Sequence, residues 1–95
     1  MANKQIPHDG KLVIGQNYFI RDPSGDSYVG RLVAELNPFC VALEDASWVS
    51  ESGRLHIFVR DGRAENMEIE PVGYVPRARY QSIIDWPHKL FTEAE

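Results

Sequence analysis

The chain has 95 residues, 43% hydrophobic and 25% charged, which fits a single folded domain with a modest core and excludes disorder. Ten basic against fourteen acidic residues give a net charge of −4, so wholesale attraction to phosphate backbones is excluded and any nucleic-acid surface must be local. One cysteine, Cys40, excludes an internal disulfide, and no apolar run approaches the roughly 18 residues of a membrane span.

In chain order, residues 1–11 are polar, contain Pro7 and Gly10, and read as a loose arm. The opening MANKQIPHDG has neither the charged nor the apolar region of a secretion signal, so cytoplasm is the expected compartment. Residues 12–87 read as the folded domain. Gln16–Arg21 makes a first strand, and the turn formers Asp22–Ser27 lead into a second that starts at Tyr28. Gly30 interrupts that strand where a sharp bend or the close approach of another backbone needs a missing side chain. After the Asn37-Pro38 turn a third strand runs from Phe39 to Val49, with Phe39, Val41 and Leu43 on one face at period two. Cys40 reads as a small buried hydrophobe on this strand.

The stretch LHIFVRDG fits two periods. Leu55, Phe58 and Val59 share a helical face, while Leu55, Ile57 and Val59 share a strand face. A cap from Ser50 or Ser52 and a close at Gly62 favour one short helix in the 52–62 region. Beyond it, Met67, Ile69 and Val72 alternate as a strand broken at Pro71, and a last strand segment runs from Tyr74 to Trp86. The adjacent Ile83 and Ile84 are expected where a strand passes from an interior to a subunit contact. Pro87 ends the segment, leaving 88–95 as a tail. The fold class is mainly β: a small five-stranded barrel with one short helix.

The run from Tyr28 to Ala46 combines Gly30, Leu32 two residues later, a bulky apolar group after the turn, and Leu43-Glu44. In these spacings it resembles the first motif of the Sm-like family, which includes the Sm, Lsm and Hfq proteins. Leu36 and Cys40 stand where RNA-binding members carry an aspartate and an asparagine, and neither can read a base edge. Val75-Pro76-Arg77-Ala78 resembles the second motif, with alanine in place of its glycine. Pro76 lacks a backbone donor, so the strand there must lie at an edge or a bulge. The resemblance implies an Sm-like or SH3-like barrel whose edge strands pair between subunits, and a head-to-tail contact of that kind generates a ring or a filament.

These readings give an expected function of non-enzymatic self-assembly, the partner being further copies of the chain in a ring or stacked rings. The expected interface residues are Ala42, Leu43 and Trp48 on the third strand and Ser82, Ile83, Ile84 and Trp86 on the last. Trp48, Phe58, Trp86 and Phe91 are interface anchors or core filling. The alternative is an RNA-binding ring using Arg77, Arg79 and Tyr80. A weaker one is a monomeric SH3-like module that grips a peptide. No nucleophile has a partner base in the local sequence, so no catalytic residue is assigned. His8, His56 and His88 lack ligand spacing and read as solvated, as do Glu65, Glu68 and Glu70, so neither metal nor cofactor is expected. No membrane partner is expected.

Overall fold

The computed structural model describes residues 11–37, 39–50, 55–62 (backbone only at 55–57) and 68–92. Five strands, β1 (Asn17–Arg21), β2 (Ser27–Asn37), β3 (Cys40–Val49), β4 (Ile69–Arg79) and β5 (Ser82–Asp85), form one antiparallel sheet in the order β4-β3-β2-β1-β5. The helix α1 (Leu55–Asp61) lies between β3 and β4 in sequence. The mainly β class and the short helix are as expected. Among the described residues no helix is long and apolar enough to cross a membrane.

Local chemistry sets these boundaries. The Asp22 carboxylate accepts bonds from both the backbone N–H and the hydroxyl of Ser24, each 2.8 Å, and Gly25 supplies φ 106°. These two bonds, the backbone one first, hold the Asp22 carboxyl below its ordinary pKa, with a weaker contribution from Arg79. Helix α1 ends where the Gly62 N–H bonds to the Phe58 carbonyl at 2.8 Å with φ 72° at Gly62, a left-handed stop. Ser50 does not cap the helix. Its N–H donates to the Glu68 carbonyl and its hydroxyl accepts from the Glu68 N–H, which ties the end of β3 to the approach of β4. Ser52 and Met67 lie outside the described residues.

The sheet bends along one line. β3 has an extra residue at Asp45, seen both in its register with β2 (Val29↔Ser47, then Arg31↔Glu44) and in its register with β4 (Ala46↔Gly73, then Leu43↔Val75). Asp45 has φ 51° and Gly73 has φ 79°. A Cβ on Gly30 would lie 3.0 Å from the Ala46 Cβ and 3.2 Å from that of Leu43. Gly30 therefore lets a backbone approach closely, as its position in the sequence suggested.

The bend curls the sheet around its first core, which joins Tyr18 and Ile20 of β1, Leu32 of β2, Val41, Leu43 and Ala46 of β3, Ala78 of β4 and Ile83 of β5. In a flat five-stranded sheet the edge strands would stand roughly 19 Å apart. Here Ala78 and Ile83 share one cluster, and only Tyr80 and Gln81 separate the two strands. The expected barrel is nevertheless not closed. No pairing joins β4 to β5, because the Gln81 N–H donates to the Arg21 carbonyl at 2.6 Å and carries the chain onto β1.

A second core covers the other face: Phe19, Val29, Val49 and Ile84 from the sheet, Phe58 and Val59 from α1, and Trp86 and Leu90 from the C-terminal segment. Trp86 packs against Phe58 at 4.9 Å between centroids, Phe58 stacks on Phe91 at 5.8 Å, and the Trp86 indole N–H donates to the Lys89 carbonyl. The segment expected to be a tail thus belongs to the core, with Leu90 only 2% exposed. His88 is half-buried rather than solvated. Its Nε2 donates to the Val59 carbonyl at 2.9 Å, and its ring presses on Gly62 so closely that a Cβ there would meet it at 2.5 Å. His8 and His56 lie outside the described side chains.

The expected strand break at Pro71 does not occur. β4 runs through both Pro71 and Pro76, and the break falls at Tyr80–Gln81. An outer strand has a solvent side on which a missing donor costs no ladder bond. The register with β3 also slips between Val75 and Ala78, around Pro76. Edge and bulge occur together where the sequence required one of them.

Candidate interaction surface

β3 was expected to present a pairing edge, and the structure corrects this. It is paired on both sides, by β2 and by β4, and Ala42 and Leu43 are buried within the chain. Ile83 and Ile84 are buried on opposite faces, Ile83 in the core inside the curl and Ile84 beneath the helix. The expected subunit contact at Ile84 is met by the chain's own helix and C-terminal segment, and Trp86, 2% exposed, fills the same core. Ser82 is half-buried and pairs with Arg21. Trp48 alone of the large expected contact residues keeps some surface. It stands between Tyr28 and Glu70 in the register, and its indole N–H donates to Asp26 at 3.2 Å.

Among the described residues the outer strands are β4 and β5, and they differ sharply. β5 is four residues long with its apolar side chains buried. β4 is eleven residues long, exposed along most of its length, and carries Val72 and Tyr74, the latter 63% exposed. At the far end of the same side of the sheet, the β2–β3 turn exposes Leu36 and Phe39. Of the six large exposed hydrophobics among the described residues, Val72 and Tyr74 lie on β4 and Leu36 and Phe39 at the β2–β3 end near its last residues, and Val13 and Ile14, ahead of β1, are the others. Single exposed apolar groups are ordinary, and on the outer strand itself the exposed pair is Val72 and Tyr74.

The second set of expected residues also falls here. Arg77 and Arg79 are exposed on β4, and Tyr80 follows directly. The Tyr80 N–H donates to the Phe39 carbonyl, and the two rings meet edge to face at 6.3 Å. Burial raises the Tyr80 hydroxyl above its ordinary pKa, with help from Glu35 and Cys40, so it stays a neutral donor. Phe39, expected to share one strand face with Val41 and Leu43, is 68% exposed while those two are buried. The turn at Asn37, whose side-chain oxygen accepts from the Phe39 N–H, takes it out of the alternation before β3 begins. The exposed Val72 and Tyr74 were missed, although the flanking prolines in PVGYVP are a readable mark of an outer strand.

Charge along the margin is polarised. Glu68 and Glu70 stand at the start of β4 and Arg77 and Arg79 at its end, all exposed and with no ion pair among the described residues. The charges that are paired lie elsewhere. Arg31 bridges Glu44 at 2.9 Å and Asp45 at 2.5 Å, which keeps its guanidinium firmly protonated, and Arg60 pairs with Asp61. No group of three His, Cys, Asp or Glu side chains among the described residues could hold a metal ion. Comparison with family models, with curated proteins and with solved structures finds no match to this chain.

Proposed function

We propose that the protein is a non-enzymatic scaffold that associates with further copies of itself edge to edge, within a reducing cytoplasm. The observation that carries this reading is the β4 margin, where Val72 and Tyr74, with Phe39 and Leu36 at the nearby β2–β3 end, leave apolar surface uncovered on a strand whose outer side has no partner among the described residues. The likeness of Tyr28–Ala46 to the Sm-like motif supports it, since that resemblance implies subunits that meet at sheet edges. The buried, unbridged Cys40 fits the compartment.

A second reading rests on the Phe39–Tyr80 pair beside Arg79, an aromatic platform with a cation next to it, on which an unpaired RNA base could stack. The net charge of −4 weighs against it. One measurement separates the two: light scattering on a size-exclusion column, with absorbance at 260 and 280 nm recorded across the peak. A defined oligomer free of nucleic acid is the expected result. Co-eluting nucleic acid would transfer the case to the second reading, and a monomer at micromolar concentration would overturn the scaffold.

A further inference from the structure

We infer that the self-contact is isologous, with the β4 margin of one copy packed antiparallel on the β4 margin of a second about a two-fold axis, giving a closed dimer and not a head-to-tail ring. This rests on the self-association proposed above and names its geometry. A head-to-tail contact needs two different surfaces that fit each other. The only other outer strand among the described residues, β5, spans Ser82–Asp85, less than half the length of β4, and its isoleucines are already buried. It offers nothing to match Val72, Tyr74 and Phe39. Another copy of the β4 margin does.

Charge sets the direction. The acids Glu68, just ahead of β4, and Glu70 come first and the bases Arg77 and Arg79 last. Parallel association would set like charges side by side, which is penalised. Antiparallel association about a two-fold that passes between Gly73 and Tyr74, near the middle of the strand, brings the acidic end of each copy to the basic end of the other, twice. Pro71 and Pro76 lack donors and the strand is bulged, so the two copies meet through side chains and not through an unbroken backbone ladder. The same features limit growth, because a two-fold contact uses the margin of both partners and leaves none free.

The test is charge exchange in the full-length protein, read as mass by light scattering. The wild type is expected at twice the 10.8 kDa chain mass. Arg77→Glu with Arg79→Glu makes the margin acidic at both ends and should weaken self-association at least about tenfold. Glu68→Arg with Glu70→Arg makes it basic at both ends and should do the same. An equimolar mixture of the two variants should restore a dimer containing one of each. All four side chains are exposed, and circular dichroism on each variant checks that the fold is retained. A wild-type ring of higher mass, or charge variants that associate as the wild type does, would overturn the isologous contact while leaving the scaffold standing. A wild-type monomer would overturn the scaffold itself.

Discussion

Asp45 occupies a left-handed backbone conformation that costs most side chains about 1–2 kcal/mol and that aspartate and asparagine tolerate best. The sequence places one of those two residue types at the extra position of the bulge, and Arg31 then uses the outward-turned carboxylate. The pair is partly exposed, so its own contribution is small, up to about 1 kcal/mol. The reverse case sits on the helix-covered face. Ser27 and Ser47 lie diagonally across β2 and β3, fully buried, and neither hydroxyl has a hydrogen-bond partner among the described residues. A buried hydroxyl left unpaired costs about 1–3 kcal/mol, whereas alanine would leave only a small void. Ser47→Ala is therefore expected to raise the stability of the folded chain by up to about 1 kcal/mol. A fall in the urea midpoint would show that the hydroxyl is serving a partner.

Among the elements, the segment after β5 does more than its length suggests, since it supplies both Trp86 and Leu90 to the second core. Trp86, His88, Leu90 and Phe91 close the second core over α1, and the Thr92 hydroxyl reaches the Asp45 carbonyl at 3.2 Å. Truncating Leu90 to alanine should cost about 2–5 kcal/mol, as for other fully buried leucines, while Lys89→Ala beside it should be near neutral. Equal effects from the two in denaturant unfolding would refute the packing described. This element was the least legible in the sequence. HKLFTEAE has no strand period and is too short for a clear helical one, so only its aromatic and leucine content hinted at burial. The hairpins were legible because turn chemistry is local: Asp22, Gly25 and Asn37 announce their turns whatever the rest of the chain does. The strand order was not. Whether Ala42 and Leu43 meet a neighbouring copy or the chain's own β4 depends on contacts between distant segments, which alternation does not record.

For the molecule as a whole, the bend at Gly30 decides the shape. It brings both outer strands to one core and gives near-equal dimensions of 33 × 31 × 28 Å. Gly30→Ala would force a methyl group to within 3.0 Å of Ala46 and should lower stability by about 1–3 kcal/mol. An unchanged denaturation midpoint would mean that β2 and β3 can separate there without loss. That glycine was readable in the sequence because its φ and its neighbours matter less than its missing side chain. The open corner between β4 and β5 was not, since closure depends on where two residues, Tyr80 and Gln81, deliver the chain.

The pairing of Phe19 with Ile84 joins residues from opposite ends of the chain. As the polypeptide leaves the ribosome, β1, β2 and β3 can zip together as successive hairpins, but the core that Phe19 and Val29 share with Ile84, Trp86 and Leu90 waits for β5 and the residues after it. A nascent chain thus carries this core half-built after α1 has emerged, and it is sealed only when β5 and the segment behind it arrive.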